Sequence, residues 1–251
     1  MPELLLYIYI FIAGLLIGSF ANVCILRIPA KENIVVTPSH CPNCGKRLKW
    51  YELFPLFSYL FLGGKCAGCK APISPQYPIV EAAVGLLFVL CFHHYGLTLY
   101  LPLACLLAAA LLVIGVIDAR TREIPPGLNI FILCLGAVAL ALDYTHWLDH
   151  LIGFFAVSLP LFLLLLATGG RGIGGGDIKL MACAGLFLGW KLILLAFFIG
   201  CIAGSIIHLL LMLFLKKGRT LALGPYLGVG IFTALLWGNR LLTWYLSSFA
   251  R

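Results

Sequence analysis

The sequence predicts an all-α polytopic membrane protein, with about eight transmembrane helices and a small cytoplasmic zinc-binding loop domain, and three observations carry that expectation. Hydrophobic residues make up 63% of the 251 positions and charged residues only 10%, a balance found in membrane proteins. The apolar residues fall in long runs without alternation. Hydrocarbon offers the backbone no hydrogen-bond partner, so such runs must be helices of roughly 20 residues, whereas strands would have to close a barrel. Lys and Arg, finally, gather in every second loop, as they do on the cytoplasmic side of a membrane.

The runs lie at about 4–26, 79–92, 100–117, 128–142, 151–167, 172–190, 192–215 and 223–246. The first is no cleavable signal, because Met1-Pro2-Glu3 brings no basic flank. After it come Arg27, Lys31, Lys46, Arg47, Lys49, Lys65 and Lys70; Arg120 and Arg122 follow the third run, Arg171 the fifth, and Lys216, Lys217 and Arg219 the seventh. The opposite side holds only Lys191, Arg240 and Arg251. Both termini are therefore expected outside. The net charge of +8 follows from this bias and favours anionic membrane lipid, and no interleaving of aromatic and basic residues points to nucleic acid.

Residues 28–78 form the one sizeable soluble segment, too small for a large core and in need of a staple. It carries Cys41-Pro42-Asn43-Cys44 and Cys66-Ala67-Gly68-Cys69, the two pairs separated by the stretch 45–65. In a reducing compartment, four thiolates so spaced suit a closed tetrahedral zinc site, structural because no position is left for water. A redox dithiol is the alternative, for which one pair would suffice. The expected division is a first transmembrane helix at 1–27, the cysteine domain at 28–78 and a transmembrane domain at 79–251.

Two acids end apolar runs, Asp118 and Asp177, and both fall on the cytoplasmic side. Counting 20 helical residues back from Lys191 puts Asp177 roughly 8 Å below the inner surface, and Asp118 lies near the same boundary. Ionisable groups at such depth are functional by default. Two carboxylates held close share a proton: the ionised one takes a proton from water while the protonated one polarises a peptide carbonyl, as in aspartic proteases. Gly174, Gly175 and Gly176 would admit an extended substrate backbone, with Lys179 beside them. The competing reading is a transporter whose acids bind a cation or proton, or pair with Lys179 or Arg120. Gly170, Gly172 and Gly175 match a dinucleotide fingerprint in spacing only, since no strand precedes them. The pairs Gly14 with Gly18, Gly200 with Gly204 and Gly224 with Gly228 read as helix contacts.

Taken together these segments resemble the bacterial type IV prepilin peptidases, membrane aspartic proteases of the GxGD class. Residues 14–29, GLLIGSFANVCILRIP, are similar to that family's first span; the tetracysteine loop with LFPLFSYL at 53–60 is similar to its zinc loop; SPQYPIVE at 74–81 resembles the start of its second span. The catalytic pair falls on Asp118 in IDARTREIP and Asp177 in GGGD, and Leu223-Gly224-Pro225-Tyr226 resembles the last shared segment. The resemblance implies removal of a short basic leader from prepilins or pseudopilins at the cytoplasmic membrane face. It further implies methylation of the new N-terminus with S-adenosylmethionine, an activity linked to Gly64 and Lys65. Pro126 and Asn129 depart from the acid and threonine common in the family. A basic loop should repel a basic leader, and Glu32, Glu52, Glu81 and Glu123 are the acids that could offset it.

Overall fold

A computed structural model describes residues 2–170, 172–215 and 222–249. Among them every apolar run is helical and no strand forms. Arg171, Lys216, Lys217, Arg219 and Arg251, on which part of the expected orientation rests, lie outside the described residues. The chain separates into two compact units, Met1–Ala109 and Ala110–Arg251.

In the first unit, α1 (Pro2–Ala30) packs against α3 (Gln76–Tyr95). The contact needs glycine: a Cβ on Gly14 would stand 2.7 Å from the Gly85 Cα, and one on Gly18 2.7 Å from the Glu81 Cα. The first expected helix-contact pair is thus a close crossing of backbones. Asn22, buried in this seam, donates to the Tyr77 carbonyl at 3.1 Å and accepts from Gln76 at 3.4 Å. With 29 residues α1 is about 44 Å long and outruns a bilayer core of about 30 Å. In its last turn Arg27 donates to the carbonyls of Asn33, Thr37 and Pro38, which ties down the start of the loop. The loop holds a 3-10 turn at Trp50–Glu52 and one short α-helix, α2 (Phe57–Phe61). The helix α4 (Tyr100–Thr121) leads out of this unit into the second.

The second unit continues with α5 (Pro126–Leu142), α6 (Trp147–Ala156), α7 (Ser158–Thr168), α8 (Gly175–Leu188), α9 (Trp190–Leu215) and α10 (Gly224–Phe249). The single span expected at 151–167 is two helices broken at Val157. Pro160 lacks the N–H that would bond to Ala156, and its ring crowds that carbonyl. The helix α8 is central, touching α5, α6, α7, α9 and α10. It meets α6 through Gly185, where a Cβ would collide with the Gly153 carbonyl, and it meets α5 along the buried stripe Asn129, Ile132, Gly136 and Ala139. On α9, Gly200 and Gly204 lie against Leu227 and Tyr226 of α10. His150 and Asp149 receive partners here: the buried His150 ring is 2.8 Å from the Leu186 carbonyl, and Asp149 accepts from the Trp190 indole at 3.0 Å.

Among the described residues, five segments are long and apolar enough to cross a membrane: Glu3–Ala30, Gln76–Tyr95, Tyr100–Thr121, Tyr144–Thr168 and Trp190–Phe214. The chain is a multi-pass membrane protein. The expected count of eight is not confirmed, since α5 has 17 residues, α8 only 14, and α10, though 26 residues long, is less apolar than the five. At about 21 Å, α8 is shorter than the continuous span assumed for it, so the depth expected for Asp177 on that assumption does not carry over.

Candidate functional site

Asp118 lies in the last turn of α4 and is 5% exposed. Its Oδ2 accepts the backbone N–H of Gly224, the first residue of α10, at 2.8 Å. The fit is tight, because a Cβ on Gly224 would stand 2.8 Å from that oxygen and 3.0 Å from the Asp118 Cβ and Cγ. Nearby, Pro225 packs on Gly115, which brings the start of α10 against α4. Gly228 faces Leu111 at ordinary contact distance. Spacing marks Gly224 only as a helix contact, and the structure makes it the hydrogen-bond partner of an acid.

Asp177 stands in the first turn of α8, whose N-terminal cap is Gly174. Its Oδ2 turns back over Gly174, 3.0 Å from where a Cβ on that residue would stand. Its Oδ1 is buried without a hydrogen-bond partner. Asp118 is near enough for its charge to act on the Asp177 carboxyl, so the two acids, 59 positions apart in the chain, share one electrostatic environment. A buried carboxylate oxygen without a partner is costly; a water or a substrate group at that point would relieve it.

The three glycines before Asp177 have separate surroundings. Gly174 lies under the Asp177 carboxyl, Gly175 faces open space, and Gly176 is covered by Ile124 from the α4–α5 connection, where a Cβ would be 2.9 Å from the Ile124 Cβ. Open approach is thus confined to Gly175. Lys179 is exposed one turn on. The sequence gives no sign of Ile124, and it marks Asn129 only as a departure from the family's usual threonine; Asn129 is buried on the stripe facing α8 with both amide atoms unpartnered. An amide in an otherwise apolar helix was the signal that could have pointed to it.

In the loop, the Sγ atoms of Cys41, Cys44, Cys66 and Cys69 all lie within 4.8 Å of one another, with Cys41 and Cys69 3.9 Å apart. Tetrahedral zinc at about 2.3 Å from each sulfur requires edges of roughly 3.8 Å, so the cluster can hold zinc. The two knuckles repeat each other bond for bond. Gly45 donates to the Cys41 carbonyl and Lys70 to the Cys66 carbonyl; Cys41 donates to Lys46 and Cys66 to Ala71; bridges join His40 to Arg47 and Lys65 to Pro72. Gly45 and Lys70 both take left-handed φ, 69° and 60°. The N–H groups of Cys69 and Gly68 draw the Cys66 thiol down to about 6. The second knuckle is thereby prepared to offer a thiolate.

Lys46 reaches Glu52 at 2.8 Å, and Glu52 also accepts the Lys49 N–H. That pairing holds the Glu52 carboxyl below the usual carboxylate range. Glu81 is engaged too, by the Leu56 N–H at 2.9 Å. Of the four acids expected to offset a basic leader, Glu52 and Glu81 therefore already have partners, while Glu32 and Glu123 are exposed. Gly64 has φ 66° and lies against the Tyr59 ring, and the Lys65 side chain is exposed; these two residues alone form no methyl-donor pocket.

Comparison with known proteins extends these features to nearly the whole chain. The model of the bacterial Peptidase A24 N-terminal domain matches residues 12–95, and that of the type IV leader peptidase family matches residues 105–209. A prepilin leader peptidase/N-methyltransferase of Pseudomonas aeruginosa is 34% identical over 93% of this chain and 91% of its own length. Proteins of the same description from Stutzerimonas stutzeri and Bacillus subtilis are 33% and 35% identical, over 96% and 94% of this chain and 93% and 96% of their own lengths. No solved structure matches. With the acid pair, the tetracysteine loop and a full-length likeness of this kind, the chain belongs to the type IV leader peptidase family.

Proposed function

We propose that this protein cleaves the leader of prepilins or pseudopilins and N-methylates the terminus it exposes, as its relatives are described to do. Asp118 and Asp177 are the catalytic pair in this reading. The observation that carries it is the buried, unpartnered Oδ1 of Asp177 within electrostatic reach of an Asp118 held by Gly224. One carboxylate accepts a proton from water as the water oxygen bonds to the scissile carbonyl carbon. The protonated partner hydrogen-bonds the carbonyl oxygen and then gives its proton to the amine as the C–N bond breaks. Gly175 offers an unobstructed approach for substrate backbone, flanked by Gly174, Gly176 and Lys179.

Zinc at Cys41, Cys44, Cys66 and Cys69 is structural, since four thiolates leave no open position. Residues 28–78 then form the methyltransferase-associated domain, between a first transmembrane helix at 1–27 and a peptidase domain at 79–251. S-adenosylmethionine supplies an electrophilic methyl group when bound, and Gly64 and Lys65 are the residues tied to that step. The loop and the acid pair face the cytoplasm from the inner membrane, with both termini outside. Family membership favours this function over the transporter reading.

The test is leader removal from a purified prepilin by the full chain in vesicles, with Asp118→Asn and Asp177→Asn made singly. Each is expected to lower cleavage at least about 10²-fold while insertion is kept. Full processing by either variant would overturn the assignment.

A further inference from the structure

Glu81 is an acid in the second turn of a membrane span, and it is not left to solvent. It is 7% exposed and accepts the N–H of Leu56, which lies far back in the loop, at 2.9 Å. With 20 residues, α3 is about 30 Å long, the thickness of a hydrocarbon core, so its first residue, Gln76, marks one boundary. Glu81 is five residues further on, about 7.5 Å along the axis. Side chains on a helix lean toward its N-terminus, so Leu56 sits on the order of 5 Å inside that boundary.

The chain around Leu56 is built for such a place. Leu56 has φ 59° and ψ −49°, and the Phe57 N–H bonds to the Pro55 carbonyl at 2.7 Å. This is a γ-turn of the rare positive-φ kind, strained in a residue with a side chain. At the turn itself the donors are paired. Pro55 has none, Leu56 gives to Glu81, Phe57 to Pro55 and Ser58 to Phe54. Irregular backbone survives at membrane depth only when its polar groups are satisfied by protein. The side chains point the other way: Phe54 is 53% exposed, Phe57 52%, Leu60 72% and Phe61 87%, and the cleft among them measures about 490 Å³. Just before them stand the exposed Arg47, Lys49, Trp50 and Tyr51, the mixture of cations and amphipathic rings that suits a headgroup layer.

We infer that residues 53–61 are a re-entrant anchor, docked by Glu81 to the second turn of α3, whose aromatic side chains insert into the lipid of the adjoining leaflet. The occupant of this surface is phospholipid acyl chain.

The full-length protein is reconstituted in vesicles of phosphatidylethanolamine and phosphatidylglycerol containing a phospholipid with a diazirine on its acyl chain. It is irradiated and digested with trypsin. Cleavage at Lys49 and Lys65 isolates residues 50–65, and cleavage at Lys191 and Lys216 isolates the peptide 192–216, which carries most of the span Trp190–Phe214, as reference. Residues 50–65 are expected to carry lipid adducts at a level comparable to the reference. The double variant Phe54→Asp with Phe57→Asp is expected to lose the adducts on 50–65 and keep those on 192–216. Adducts confined to 192–216 in the unaltered protein would overturn the inference. So would undiminished labelling of 50–65 in a double variant whose reference span labels normally.

Discussion

Gly224 does more at the site than any neighbouring side chain, because its main-chain N–H holds Asp118 and its bare Cα leaves the carboxyl room. Gly224→Ala is expected to displace that carboxyl and lower leader cleavage about 10²-fold, the scale on which catalysis depends on placement within an ångström. Gly228→Ala, whose new methyl would meet Leu111 at no less than 3.6 Å, should change cleavage little in the same assay. Glu52 makes a second residue-level prediction. Because its folded pKa is lowered by Lys46, it contributes stability that is fully present above the unfolded value of roughly 4.3 and is lost as pH falls through the folded value. Amide exchange of the Lys49 N–H in the wild type and in Glu52→Gln should differ near neutral pH and converge in acid. The acid pair itself was legible in the sequence, since carboxylates are rare in apolar runs. The donor to Asp118 was not, because a backbone N–H leaves no trace in side-chain chemistry, and a glycine in a span reads first as a packing residue.

Among the elements, α8 and α6 approach so closely that Gly185 and Gly153 admit no side chain. Gly185→Ala must push the helices apart and is expected to destabilise the second unit by about 1–3 kcal/mol. Thermal unfolding in detergent measures it, with Gly127→Ala as reference, since nothing lies within 4 Å of a Cβ there. All the apolar runs were legible as helices because hydrophobicity alone fixes them. Their ends were less so. The break at Val157 could have been foreseen from Pro160, but the late start of α8 at Gly175 depends on Ile124 seated over Gly176 and on the Asp177 carboxyl turned to Gly174. Those are tertiary contacts, which hydropathy does not record. Glu81 reads in the sequence as a charge facing the leader, and the span that carries it gives no sign that the distant turn at Leu56 claims it.

At the scale of the whole molecule, the cysteine domain and the acid pair belong to separate compact units. Replacing Cys41 and Cys44 by serine is therefore expected to lower N-methylation more than leader cleavage, measured on one prepilin with a labelled methyl donor. Equal loss of both, in a variant that still inserts, would count against a division of labour between the units. A metal held there would have a mechanical role as well, because the knuckles at 41–44 and 66–69 bracket the segment that turns at Leu56. Drawn together by one ion, they would convert the chain from 45 to 65 into a closed hoop with the metal as its knot and its far rim pinned to Glu81. Cutting the knot costs the hoop its loop-closure advantage, so a chelator should slacken the rim's hold on the bilayer while the spanning helices stay as they were.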